Sequence, residues 1–149
     1  MLTIEQTKTC SRCKLDKSLT EFPKHRRDSW CKLCSRTYQN QYHKDHPDMV
    51  KNNYLKTYYN ITLEQYTTML VAQNFRCALC PMTDPGRGNK SHYKYFCVDH
   101  DHNCCAGAKS CGKCVRGLLC YNCNNLLGSA RDNKETLQNA INYLSKGAK

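Results

Sequence analysis

Apolar residues are sparse over the first sixty positions and take up a helical rhythm after Ile61. Over 61–76, Leu63, Tyr66, Met69 and Leu70, with Phe75 beyond them, recur at the three- and four-residue intervals of one helix face. Thr62-x-x-Gln65 stands at the start as a capping box, and the pattern stops near Asn74. Upstream, residues 35–60 hold no Gly and one Pro, so two helices meeting at Pro47 are expected there, because a proline disfavours helical geometry at the residue before it and suits a helix start. Tyr38 and Tyr42 fall four apart, as do Tyr54 and Tyr58, and each pair is expected to share a packing face. Arg36, Lys44, Lys51 and Lys56 on the other face suit phosphate contact, or simply a solvated linker helix. Downstream, Tyr93 to Val98 and Val115 to Leu119 read as two short strands, and residues 81–92 read as loop. A short helix from about Cys123 to Ala130 follows, then an amphipathic one over 133–146 with Asp132 as N-cap, Glu135 three residues later and Gly147 past its end. The class is α+β.

Composition explains how so lean a pattern can fold. Of 149 residues 40% are hydrophobic, mean hydropathy is −0.77, and 13 are cysteine. Small cores usually need metal or disulfide staples. No apolar run follows Met1, so a secretory leader is not expected, nor is a membrane span; a cytoplasmic protein fits best. In a reducing compartment an odd number of cysteines points to metal thiolates rather than disulfides. The formal charge of +11 would fall to about +7 with two four-thiolate zinc sites and about +5 with three. It stays positive, and residues 1–60 alone hold 12 of the 23 Lys and Arg against six acids, which favours nucleic acid as partner.

Cys10-x-x-Cys13 and Cys31-x-x-Cys34 form the first pairing, with spacing suited to structural zinc. Phe22 and Trp30 lie between them as a minimal core, and Lys24, His25, Arg26 and Arg27 make a basic tip, with Arg26 and Arg27 suited to DNA. Three parts are expected: a four-cysteine zinc finger over 1–36, a basic helical connector over 37–60, and a second zinc-stabilised domain over 61–149.

That second domain carries the chemistry. Cys77-x-x-Cys80 and Cys120-x-x-Cys123 can clamp a second zinc, with Asp99-His100-Asp101-His102 between them and Asn124 directly after the last cysteine. Asp and Asn oxygens suit a hard divalent cation, and a neutral imidazole beside them can take a proton from water. This is equipment for phosphodiester hydrolysis. Strand alternation would send Asp99 and His100 to opposite faces, so a joint site requires a bulge or a strand end there. His102, Lys113 and Arg116 are candidate phosphate contacts. Cys104, Cys105, Cys111 and Cys114 could form a third zinc site, with His102 or Cys97 standing in for one of the adjacent cysteines.

Residues 61–128 resemble the endonuclease VII branch of the HNH (His-Me finger) nucleases, known from phages. The resemblance is carried by Cys77-Ala78-Leu79-Cys80, by Val98-Asp99-His100-Asp101-His102, and by Val115-Arg116-Gly117-Leu118-Leu119-Cys120-Tyr121-Asn122-Cys123-Asn124. It implies a ββα-metal core in which Cys77, Cys80, Cys120 and Cys123 hold zinc. It further implies that Asp99 and Asn124 bind a catalytic Mg²⁺ or Mn²⁺ and that His100 is the general base. Two positions depart from the junction-resolving prototype: Cys97 replaces a histidine, and Leu127 replaces an acid. Nicking or double-strand cutting of DNA is therefore expected rather than four-way junction resolution, with dimerisation through residues 35–60 as a route to paired cuts. The competing expectation is a non-catalytic zinc module that binds DNA or a protein.

Overall fold

The computed structural model describes residues 6–24, 29–86 and 95–147. The basic tip residues His25, Arg26 and Arg27, and the expected strand start at Tyr93, lie outside the described residues. The chain divides into two compact units, Met1–Val50 and Lys51–Lys149, so the two helices of the expected connector fall largely on different sides of the division.

In the first unit, β1 (Thr7–Thr9) pairs antiparallel with β2 (Asp16–Ser18). Between them a tight turn puts Lys14 at φ 61 with its N–H on the Cys10 carbonyl at 2.8 Å. A 3-10 turn (Leu19–Glu21) leads to the buried Phe22, which packs with Cys10 and Cys31. Helix α1 (Lys32–Asp45) starts at Cys31, so Cys34 sits on its first turn. Trp30 meets Tyr38 edge-on at 5.4 Å, and the Arg12 guanidinium lies over both rings.

Helix α2 (Pro47–Tyr59) begins at the proline as expected, and His46 at ψ 54 breaks the helix before it. The tyrosine pairs do share faces, with ring centroids 6.3 Å apart for Tyr38 and Tyr42 and 4.8 Å for Tyr54 and Tyr58. Tyr38, Tyr54 and Tyr58 nevertheless remain exposed. The packing residue of α2 is Leu55, which is fully buried.

In the second unit, α3 (Leu63–Ala72) carries both halves of the capping box: Gln65 N–H on Thr62 Oγ1 at 3.1 Å, and Thr62 N–H on Gln65 Oε1 at 2.8 Å. Tyr66 is buried and donates to the Phe96 carbonyl. Phe75 is not part of the apolar face. It follows Asn74 into the left-handed region, at φ 56, and is exposed, because the chain has already left the helix there. Gln73, just past the helix, accepts from Leu118 N–H and donates to the Leu118 and Arg76 carbonyls.

Strand β3 (Cys97–His100) pairs antiparallel with β4 (Val115–Leu119), and α4 (Tyr121–Ser129) follows at once. Asp99 and His100 thus lie inside β3 rather than after it. Leu55, Ile61, Tyr66, Phe96, Val98, Leu118 and Leu119 form the core together with Cys77 and Cys120. Helix α5 (Lys134–Ser145) is capped by Asn133, whose Oδ1 accepts from Thr136 N–H, and not by Asp132 as expected. Arg131 and Asp132, both at φ 52, form a left-handed pair that postpones the helix start by one residue. No helix among the described residues is long and apolar enough to cross a membrane.

Candidate catalytic and metal centres

The β3–β4 ladder contains the irregularity that a joint Asp99–His100 site requires. Val98 faces Leu118 and Asp99 faces Gly117, but His100 faces Val115, so Arg116 is skipped. An extra residue on one strand locally increases twist and re-aims neighbouring side chains. Asp99 and His100 are the two buried polar residues among those described, at 8% and 5% exposure.

The skipped residue is the partner of Asp99. Arg116 donates from Nε to Oδ2 at 2.7 Å and from Nη2 to Oδ1 at 3.0 Å. Its Nη2 also reaches Asp132 Oδ1 at 3.0 Å, and Asp132 Oδ2 accepts from His102 Nδ1 at 2.7 Å. The bond to Asp99, with help from Asp132, raises the Arg116 pKa, while the bonds from His102 and Arg116 outweigh burial and hold Asp132 below its ordinary value. Asp132 escaped the sequence reading of the site: the only local signal was an Asp beside a helix start, and that suggested a cap. Arg116 was expected at phosphate, and its Nη1 donors remain outside these bonds.

His100 is held from two sides. Its Nε2 lies 3.3 Å from the Cys105 carbonyl oxygen, and its ring meets Tyr59 edge-on at 6.2 Å. A carbonyl only accepts, so Nε2 is the donor in this contact and Nδ1 is the ring nitrogen left to accept. The His102 ring is 4.7 Å away. His102 itself donates from Nδ1 to a carboxylate, which leaves its exposed Nε2 as the outward nitrogen.

Asn124 is half-buried on the first turn of α4, with its N–H on the Cys120 carbonyl at 3.0 Å. Its side chain makes no hydrogen bond among the described residues. Leu127, three residues on, packs against the core. Lys113 is exposed in the loop before β4.

Among the described residues three groups of four cysteines each bring their sulfurs within 4.8 Å of one another: Cys10, Cys13, Cys31 and Cys34; Cys77, Cys80, Cys120 and Cys123; and Cys104, Cys105, Cys111 and Cys114. All could hold a metal ion. The third group uses both adjacent cysteines, so neither His102 nor Cys97 takes a place in it. In each group one thiol is drawn toward ionisation. Burial opposes this at Cys10 and Cys77, yet backbone N–H groups outweigh it and bring them to about 6 and about 7; at Cys111 the Lys113 N–H leads and brings it to about 7. Their neighbours move the other way: burial pushes Cys34 up to about 12 and raises Cys123, and hydrogen bonds from Cys114 and Cys111 push Cys104 up to about 12. Four thiols so crowded cannot all ionise unaided, and a thiophilic dication would supply the missing charge.

The family model described as recombination endonuclease VII matches residues 52–146. Gene 59 protein of Mycobacterium phage D29 is 43% identical over 89 residues, which is 59% of this chain and 46% of that protein. The chain thus spans about half the length of the curated relative it matches. No solved structure matches.

Proposed function

The chain belongs to the recombination endonuclease VII family, and on that premise we propose that it is an HNH-type, divalent-metal-dependent endonuclease that nicks or cuts DNA by phosphodiester hydrolysis. The observation that carries the proposal is the bulge that buries Asp99 and His100 side by side in β3, with the His100 lone pair placed on Nδ1 by the Cys105 carbonyl.

His100 Nδ1 takes the proton from an attacking water, whose oxygen bonds to phosphorus in line with the departing oxygen; the bond to that oxygen breaks as the phosphate inverts. The buried Tyr59-flanked position of His100 keeps the ring oriented for that transfer. The oxygen donors of Asp99 and Asn124 suit a hard cation: each Asp99 oxygen accepts one bond from Arg116 and keeps a lone pair, and Asn124 has an uncommitted amide. When bound, Mg²⁺ or Mn²⁺ would neutralise charge on the phosphate and on the leaving oxygen. Arg116 through Nη1, Lys113 and the outward Nε2 of His102 are the groups we assign to the DNA backbone, with Arg26 and Arg27 of the first unit adding affinity. The Cys77, Cys80, Cys120 and Cys123 centre anchors the start of α4, so that Asn124 is fixed one residue from a ligand. Paired cuts would follow from dimerisation through residues 35–60, checked by light scattering on the eluted protein.

The test is supercoiled plasmid with Mg²⁺. The wild type nicks it, and His100→Ala loses about 10²–10⁴-fold in rate while still binding DNA. Nicking that survives the substitution defeats the mechanism, and binding without any nicking by the wild type would make the chain a zinc module and not an enzyme.

A further inference from the structure

The third cysteine group does more than tie up a loop. Its sulfurs stand 3.9 Å apart for Cys104–Cys111 and Cys104–Cys105 and 3.8 Å for Cys111–Cys114. Four sulfurs held about 2.3 Å from one zinc in a tetrahedron stand about 3.8 Å apart, whereas a disulfide brings two to about 2.05 Å. The spacing is that of a metal centre. Cys80 and Cys120, in the group that family resemblance assigns to zinc, show the same 3.8 Å.

The surroundings are built to match. Ser110 Oγ lies 3.3 Å from Cys114 Sγ and accepts from Gly112 N–H, an outer contact of the kind that orients metal ligands. Asn60 Nδ2 donates to the Cys111 carbonyl at 3.0 Å, and Ser110 N–H donates to the Tyr58 carbonyl at 2.7 Å. The group is therefore fastened to the end of α2, on either side of Tyr59, whose ring faces His100. Within the group itself, Cys105 presents its carbonyl to His100 Nε2.

We propose that Cys104, Cys105, Cys111 and Cys114 form a third zinc centre whose task is to hold the Cys105 carbonyl against His100 and so select which ring nitrogen bears the hydrogen. Cys105 would act twice, its sulfur on the metal and its carbonyl on the imidazole. The four cysteines are positioning residues, acting on the reaction through His100. The catalytic consequence rests on the reading of His100 as general base; the metal centre and the ring tautomer do not.

Metal content by native mass spectrometry of the full chain should give three zinc ions per chain, and two for Cys111→Ser. Nitrogen-15 NMR of the histidine rings should place the His100 hydrogen on Nε2 in the wild type and show mixed Nε2–H and Nδ1–H forms in Cys111→Ser. Cys111→His, which keeps a zinc ligand, should restore both the third ion and the Nε2–H form. DNA affinity should be unchanged while kcat for nicking falls about 10–100-fold in Cys111→Ser, the range seen when an outer partner of a functional group is lost. Two zinc ions in the wild type, or a mass two hydrogens lighter in place of the third ion, would overturn the centre. A His100 ring that stays wholly Nε2–H after the third zinc is lost would overturn the positioning role, since the bonds from Cys104 and Cys105 N–H to the Asp101 carbonyl, at 3.1 and 3.0 Å, would then suffice to hold the Cys105 carbonyl. If the wild type holds three zincs and the tautomer responds but no plasmid is nicked, the endonuclease reading fails and this inference stands.

Discussion

Arg116 grips Asp99 side-on from the one position that the β3–β4 ladder skips, with bonds of 2.7 and 3.0 Å to the two carboxylate oxygens. The same bulge that turns Asp99 and His100 inward thus supplies the counter-charge that a buried carboxylate needs. An arginine fork matches both oxygens at once, which a lysine cannot do. Arg116→Lys should lower stability by about 1 kcal/mol, and Arg116→Met by about 1–3 kcal/mol, the upper figure tempered because the Arg116 side chain is 38% exposed. Urea unfolding at fixed free zinc measures both. Equal stability of Arg116→Met and wild type would show that the pair does not hold Asp99.

Asp132 gives a pH signature. Its pKa is lowered in the fold, chiefly by the bond from His102 and then by that from Arg116. A lowered carboxylate contributes its stability above its unfolded value of about 3.9 and loses it as pH falls through the folded value. The stability gap between wild type and Asp132→Asn should therefore close as pH falls through the acid range. A gap that persists unchanged through that acid range would remove Asp132 from the network.

The neighbouring residue separates capping from charge. Asn133→Ala should cost about 1 kcal/mol through loss of the α5 cap, with no effect on the acid dependence. Were Asp132→Ala to lower α5 helicity and Asn133→Ala not, the cap would have been placed wrongly.

Two glycines in the cysteine-rich loop share a left-handed backbone but not their surroundings. At Gly112, φ 86, an added Cβ would come 2.7 Å from the Asn60 carbonyl oxygen; at Gly107, φ 84, it would meet nothing within 4 Å. Gly107→Ala should cost about 1 kcal/mol from backbone strain alone, and Gly112→Ala clearly more, because the loop must also part from Asn60. Thermal shift of the two variants side by side decides it; equal losses would mean the close approach is of no consequence.

Asn124 and His100 should fail differently. Asn124→Ala should raise the Mg²⁺ concentration needed for half-maximal nicking, whereas His100→Ala should depress the rate at every Mg²⁺ concentration. Identical Mg²⁺ curves for Asn124→Ala and wild type would remove Asn124 from the cation site.

Much of this was legible in the residues. Helical spacing, the Thr62–Gln65 box and Pro47 placed α2 and α3 because those signals are local. Cysteine spacing found all three groups, and strand alternation itself demanded a break between Asp99 and His100. What stayed hidden depended on register and on backbone chirality. Only the skipped pairing reveals that Arg116 faces Asp99. Only the left-handed pair Arg131–Asp132 moves the cap to Asn133 and frees Asp132 to meet Arg116 and His102, and adjacent Asp and Asn residues are equally good caps on paper. Phe75 shows the same limit, since its spacing is right but the helix has ended.

The clamp made by Cys77, Cys80, Cys120 and Cys123 closes over a long stretch of chain, with all of β3 and β4 inside it. During synthesis Asp99 and His100 leave the ribosome before Cys120 and Cys123 do, and where such a group binds an ion, capture and folding are one event. On the proposed reading, a nascent chain would therefore be inert by construction: the cutting site would assemble only once Cys123 is out, and with it, in the very next peptide, Asn124.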